Sequence, residues 1–267
     1  MRRPVKISFV VPAYNEEAYV ARCLEAIIAE LERTAREAEL IVVDNASTDR
    51  TGEIAEAYPN VVVVKEPVKG LVRARAAGCR VATGSLIANI DADTVLPTGW
   101  LDKVLSEFSA DPALVALSGP YVFYDLPKHI NLLVKLFYCG GFFVYLLNRY
   151  ALRAGSMLQG GNFVVTRDAL AAIGGFNPAF TFWGEDTDLA RRLSKVGRVK
   201  FTFWLPAMSS GRRLMREGVV RMGLRYAINF FWATFLRKPF TEDWIDVRAA
   251  SPVTAEAELH EAGRLDR

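Results

Sequence analysis

Four near-continuous apolar runs, ISFVV (7–11), LIVV (40–43), VVVV (61–64) and LIANI (86–90), recur through the first third of the chain. Runs without polar alternation suit parallel strands covered on both faces. Between them, residues 16–33, 50–58 and 71–81 carry apolar side chains at helical spacing. Strand alternating with helix predicts an α/β fold, a doubly wound and mostly parallel sheet with right-handed crossovers. The polar motifs then fall at strand ends: PAYNEE after the first run, DNASTD after the second, DAD after the fourth. Open α/β sheets bind ligands outside the carboxyl ends of their strands, so these three motifs are expected to share one crevice.

The second half is less regular. Residues 114–123 and 162–166 read as strands, 167–173 as a short helix closed by Gly174–Gly175, and 186–196 as an amphipathic helix. After Trp244 the large apolar residues stop, which predicts a mobile tail. A chain of 267 residues, 51% hydrophobic, can bury one sizeable core. The expected organisation is a single domain over 1–240, made of a first half (1–95), a second half (96–215) and a basic amphipathic helix (216–240), then the tail 241–267. A formal charge of +3 is too small to argue for nucleic acid. It is unevenly spread, however: residues 205–240 hold seven basic residues against Glu217, which suits phosphate or an anionic surface. Three widely spaced cysteines without a CxxC argue for a reduced, cytoplasmic chain with neither disulfides nor zinc. The N-terminal apolar run is broken by Pro12 and residues 15–17 and reads as a strand, not a signal peptide. The longest uncharged apolar stretch, residues 136–148, has 13 residues against the ~20 of a spanning helix, so no transmembrane span is expected.

Asp91 and Asp93 flank one small residue, Ala92, at a strand end. In extended or turn geometry alternate residues point the same way, so both carboxylates can serve one point. Two hard oxygen ligands suit Mg²⁺ or Mn²⁺ with positions left for a diphosphate, and a cation would offset the cost of gathering charge there. A simple turn or cap is the competing reading. Asp44 and Asn45 sit too early to cap the next helix and are placed to hydrogen-bond a base or ribose, whereas Ser47, Thr48 and Asp49 suit capping. Pro12 and Tyr14 can wall a flat ring, with Asn15 or Glu16 also serving the helix start. Trp183, ahead of GEDTDL, suits either stacking on an acceptor sugar or filling the core.

The series VVPAYNEE, IVVDNASTDRT, KGLVRARAAG, IANIDADTVLP, QGGNFVVTRDALAAIGGFNP and WGEDTDLARRL resembles, motif by motif and in order over residues 5–215, the inverting glycosyltransferases of family 2. The resemblance implies the GT-A fold, a Rossmann-like, mostly parallel sheet flanked by helices, here with an apolar helical region on the acceptor side, and it makes 1–95 the nucleotide-binding half and 96–215 the acceptor and catalytic half. It implies that Pro12, Tyr14 and Glu16 line the nucleotide pocket, that Asp44 and Asn45 read base and ribose, and that Arg75 borders the nucleotide. Where the family usually has a second acid, this chain has Asn45. The same resemblance assigns Asp91 and Asp93 to the metal, Gly160, Gly161 and Asn162 to donor sugar and acceptor, and Asp186, with Glu185 beside it, to the base that takes the acceptor proton. Asp188 is left to favour the helix N-terminus. Arg212 and Arg213 match basic residues that close over the diphosphate, a task that suits guanidinium forks.

The implied partners are a nucleotide-diphosphate sugar and a sugar or lipid-linked acceptor, in cell-envelope or polysaccharide synthesis. Two aromatic-rich segments, residues 130–150 and 218–240, are flanked by cations, which suits either peripheral membrane contact, at the inner face, or burial on the sheet. A sugar nucleotidyltransferase would want a glycine- and arginine-rich phosphate loop after the first strand, which PAYNEE is not. A catalytically inactive nucleotide-sugar-binding protein should have lost Asp91, Asp93 or Asp186, and all three are present.

Overall fold

The computed structural model describes residues 6–147, 157–241, 246 and 248. Strands β1 (Ile7–Ala13), β2 (Ala38–Asp44), β3 (Val61–Lys65), β4 (Leu86–Ile90), β6 (Leu114–Ser118), β8 (Asn162–Thr166) and β9 (Arg198–Phe201) build the central sheet. A small second sheet holds β5 (Thr94–Val95), β7 (Tyr121–Phe123) and β10 (Ala207–Ser209). The helices are α1 (Val20–Thr34), α2 (Thr51–Glu56), α3 (Leu71–Val81), α4 (Trp100–Ala110), α5 (Lys128–Leu147), α6 (Arg167–Ala172), α7 (Glu185–Leu193), α8 (Arg212–Glu217) and α9 (Val219–Phe231), and a π-helical turn follows over Trp232–Leu236.

The central order is β3-β2-β1-β4-β8-β6-β9. Strands β3, β2, β1 and β4 are mutually parallel, as the apolar runs require, and β8 enters antiparallel between β4 and β6. Successive residues of β1 feed two cores: Phe9 and Val11 pack with Leu24, Ile27 and Trp100, while Val10 packs with Ile41, Ala77, Phe163 and Leu189. Each such Val, Leu, Ile or Phe side chain, fully buried, contributes about 1.5–3 kcal/mol.

Several boundaries differ from expectation for local reasons. The first helix starts at Val20, because residues 16–19 form a turn in which the Glu16 carbonyl accepts from the N–H groups of Tyr19 and Val20. The expected strand over 114–123 is two strands in different sheets. It breaks where a Cβ on Gly119 would lie 1.9 Å from the Leu205 carbonyl oxygen and where Pro120 brings no N–H to a ladder. The VVVV run is an edge strand, with Val62 53% exposed, and is not covered on both faces. Asp188 does more than favour a helix start: it accepts from Arg191 and Arg192, and Arg192 also donates to the Ile173 and Gly175 carbonyls, tying α7 to the turn after α6.

Counting only uncharged residues undersized α5. The helix runs on through Lys128, His129 and Lys135 to 20 residues, with mean hydropathy 1.8 over its most apolar window, and is long and apolar enough by those measures to cross a membrane. Most of the expected tail, 241–267, lies outside the described residues, as do residues 148–150 of the first aromatic segment. Asp246 and Arg248 are described and packed: Asp246 pairs with Lys69 at 2.7 Å and Arg248 with Glu16 at 2.7 Å.

Candidate active site

Register brings the motifs to one edge. Ala13 at the end of β1 pairs with Asp44 at the end of β2, and Ile90 at the end of β4 pairs with Asn162 at the start of β8. Because β8 is antiparallel, its leading glycines arrive beside the aspartates: the Asp91 N–H donates to the Gly161 carbonyl at 3.2 Å. A Cβ on Gly161 would lie 2.0 Å from Asp91 Cγ and 2.1 Å from the Tyr121 hydroxyl, so the close approach needs glycine. Gly161→Ala is expected to cost about 1–3 kcal/mol of stability, read by urea unfolding.

Pro12, Tyr14, Asn45, Lys69, Phe182 and Arg248 line a crevice above the ends of β1 and β2. The Lys69 ammonium lies 3.9 Å from the centre of the Tyr14 ring. Two strand-end loops form its rim and are laced together. Asn15 Oδ1 accepts from the Thr48 N–H at 2.8 Å, the Asn15 N–H donates to Ser47 Oγ, and the Glu16 N–H donates to Thr51 Oγ1. Ser47 and Thr48, expected as caps, thus join the loops, and Asp49 serves α2 by accepting from the Thr51 N–H. Asp44 Oδ1 accepts from the Ser47 N–H at 3.2 Å. The Asn45 amide is committed internally, donating to the Glu66 and Val68 carbonyls and accepting from the Gly70 N–H. It shapes the crevice wall through the 66–70 loop, and its amide edge is not directed to a base.

The two aspartates of the DAD turn meet different arginines. Asp91 Oδ1 accepts from Arg75 at 3.0 Å and Oδ2 from the Tyr121 hydroxyl at 3.1 Å. Asp93 accepts from Arg212 at 3.0 Å, and Arg212 also reaches the buried Glu16, which takes a second guanidinium from Arg248. The small sheet produces this pairing, since β10 runs antiparallel to β5 with Ser209 opposite Thr94, bringing the start of α8 to the DAD turn. Burial pushes the Asp93 carboxyl up to about 7, with Glu16 adding to the effect and Arg212 opposing it. Arg213 pairs with Glu217 at 3.0 Å and lies 4.7 Å from the ring centre of Phe182, at the crevice.

Arg75 is only 1% exposed and spans the site from Asp91 to Glu185. The resemblance implies that it borders the nucleotide; in the structure its side chain is a buried bridge between the DAD turn and α7. Burial works against the Arg75 charge, but Glu185 and Asp91 more than offset it and raise its pKa. Burial likewise pushes Glu185 up to about 7, against the lowering effect of Arg75. Gly184, at φ 75°, delivers α7 with Glu185 buried and Asp186 partly buried. Asp186 Oδ1 accepts from the Thr187 N–H at 2.7 Å. Its charge is felt at the hydroxyls of Tyr138 and Tyr226, on α5 and α9.

The sequence model of glycosyl transferase family 2 matches residues 8–174, and one described as the N-terminal domain of galactosyltransferase matches 148–215. The chain belongs to glycosyl transferase family 2. Among curated relatives, Glycosyltransferase GlyG of Streptococcus pneumoniae is 35% identical over 124 residues, 45% of this chain and 40% of that one. Dolichyl-phosphate beta-glucosyltransferase ALG5D of Trichomonas vaginalis is 39% identical over 99 residues, 33% of this chain and 30% of that one. The chain therefore spans well under half the length of these relatives. The mannosyltransferase PcManGT of Pyrobaculum calidifontis, solved with GDP-Man and Mn²⁺, aligns with TM-score 0.64 at 21% identity over 97% of this chain and 71% of that one. TarS 1–349 of S. aureus aligns with TM-score 0.60 at 17% identity over 87% and 73%. These likenesses show the GT-A fold.

The donor set of this family member suits a hard divalent cation. Asp91 and Asp93 present carboxylates from one turn, and Glu16 Oε2, the neighbour that raises Asp93, is buried without a hydrogen-bond partner. Among the described residues no three His, Cys, Asp or Glu side chains form a cage, so a cation here would draw further ligands from a diphosphate or water, as Mg²⁺ does. Two other expected contacts are committed to the fold. The Asn162 amide donates to the Gly119 and Leu205 carbonyls and accepts from Trp100 Nε1, so it fixes the start of β8 and has no free edge for a sugar. Trp183 is buried, edge-on to Phe182 and Tyr226, which favours core filling over stacking on an acceptor. Sequence reasoning missed Tyr121, Lys69 and Arg248. Lys69 had a signal as the first residue of KGLVRARAAG, and Arg248 as a cation in a polar tail.

Proposed function

We propose that this chain is a metal-dependent inverting glycosyltransferase, moving a sugar from a nucleotide-diphosphate sugar to an acceptor hydroxyl or lipid phosphate in cell-envelope polysaccharide or glycolipid synthesis. The observation that carries the reading is the buried Asp91–Arg75–Glu185 bridge, which joins the DAD turn to the residue beside Asp186. Base and leaving-group machinery thereby belong to one rigid unit. The nucleotide lies in the crevice against Tyr14 and Lys69, and Asp91 and Asp93 would hold a Mg²⁺ or Mn²⁺, which would supply positive charge against the leaving diphosphate. Arg212 and Arg213, at the start of α8, face the same diphosphate. Asp186 takes the acceptor proton while the acceptor oxygen bonds to the anomeric carbon and the sugar–phosphate bond breaks. One displacement from the face opposite the leaving group inverts the centre, and no protein nucleophile is required.

The test incubates the protein with Mn²⁺ or Mg²⁺ and a panel of UDP-, GDP- and dTDP-sugars, following nucleotide release with and without a lipid extract. No metal-dependent release from any donor would sink the proposal. A pH profile tests the base. Burial raises the Asp186 carboxyl, and the Thr187 N–H and Arg75 only partly pull it back. A base works deprotonated, so kcat/KM at saturating metal is expected to fall on acidification through a pKa above the usual aspartate range. An acid limb at an ordinary carboxylate value would count against Asp186.

A further inference from the structure

Helices α5 and α9 hold a wide apolar surface in water. Along α5 an inner stripe fastens the helix to the domain: Asn131 donates to the Phe123 carbonyl, Tyr138 to Gln159 Oε1 at 2.6 Å, Tyr145 to the Val199 carbonyl, and Phe142 meets Phe203 edge-on. The outer face is apolar too, with Leu132, Leu133, Leu136, Val144 and Leu147 exposed and Phe143 70% exposed. On α9, Val220, Leu224, Ile228 and Phe231 make a second exposed stripe, continued by Phe235 and Leu236. The surfaces adjoin, since a Cβ on Gly223 would touch the exposed Phe137 ring at 3.8 Å. A helix apolar all round wants apolar surroundings on every side, and so large an exposed patch marks an interaction site.

Charge selects the occupant. Residues 126–147 and 218–241 contain no Asp or Glu, while Lys128, Lys135, Arg221, Arg237 and Lys238 are exposed along them. A second copy on this face would set cations against cations; an anionic lipid surface would not. We propose that the α5–α9 face docks on an anionic bilayer, lying along the headgroup–acyl boundary. The inner stripe of α5 stays tied to the domain, so the helix lies on the membrane and does not cross it. This docking is independent of the transfer chemistry.

The test is flotation of the full chain with phosphatidylglycerol–phosphatidylcholine vesicles against pure phosphatidylcholine, at low and high salt. Binding is expected with the anionic vesicles and is expected to weaken with salt. The Arg221→Ala/Arg237→Ala/Lys238→Ala variant is expected to lower the partition coefficient roughly a hundredfold. The Leu136→Ser/Phe143→Ser variant is expected to lower it roughly tenfold or more. Both variants should keep the parent's unfolding transition and its rate of nucleotide release in solution, which separates failure of docking from failure of catalysis. Three results would overturn the proposal: no flotation, equal binding to neutral vesicles, or a micromolar homodimer dispersed by Leu136→Ser/Phe143→Ser.

Discussion

Asp186→Asn is expected to lower kcat by about 10²–10⁴-fold while leaving donor affinity unchanged. The substitution keeps the shape of the side chain and its acceptance from the Thr187 N–H, and removes only the capacity to take a proton. The crevice proposed for the donor is lined chiefly by other elements, around Tyr14 and Lys69, so calorimetric titration with nucleotide should be indistinguishable from the parent. Transfer, followed as acceptor-dependent release of nucleotide, should collapse. A loss shared equally between donor affinity and turnover would mean that Asp186 supports the crevice. Parental turnover would move the base elsewhere, with Glu185 the first place to look, since its Oε2 is buried without a hydrogen-bond partner.

Arg75→Met is expected to destabilise the protein by about 3–5 kcal/mol, because it strands two carboxylates that share one buried cation. That loss corresponds to a fall in Tm of roughly 6–20 °C for a domain of this size. Two readouts separate this from ordinary loss of packing. Arg75→Lys keeps the charge but cannot span both carboxylates in a fixed fork, so it should recover only part of the stability. Removing a stranded partner as well, in Arg75→Met/Glu185→Gln, should be less damaging than the two single changes summed, since those residues are directly coupled. A cost below about 1 kcal/mol for Arg75→Met would show that water reaches the pair and that the bridge is not a rigid joint.

Much of the framework was legible from local pattern. The apolar runs place β1, β2 and β4 within two residues of their ends, KGLVRARAAG yields α3, and NFVVT yields β8. The DAD and GEDTDL motifs identify the acidic turn and the start of α7 because strand ends and helix starts are local events. Polar partnerships were not legible. Asn45 and Asn162 look like ligand-facing amides in sequence, yet each is consumed by backbone groups that only the folded chain brings near. Arg75 reads as a residue bordering a nucleotide until Glu185, 110 positions later, is found against it. Arg212 meets Glu16 across 196 positions, and no periodicity carries that information.

Local pattern in the sequence was enough for the class of fold, the sheet edge to which the polar motifs are delivered, and the identity of the acidic residues on it. Hydrophobic periodicity and turn chemistry act over a few residues, so they are written where they are read. Which carboxylate each arginine holds, which amides are spent on the backbone, and which helical face is exposed among the described residues were settled by contacts distant in the chain. Those outcomes depend on the antiparallel insertion of β8 and on the small sheet that carries α8 to the DAD turn. Both are long-range pairings, and their energy is realised only once the whole sheet has closed.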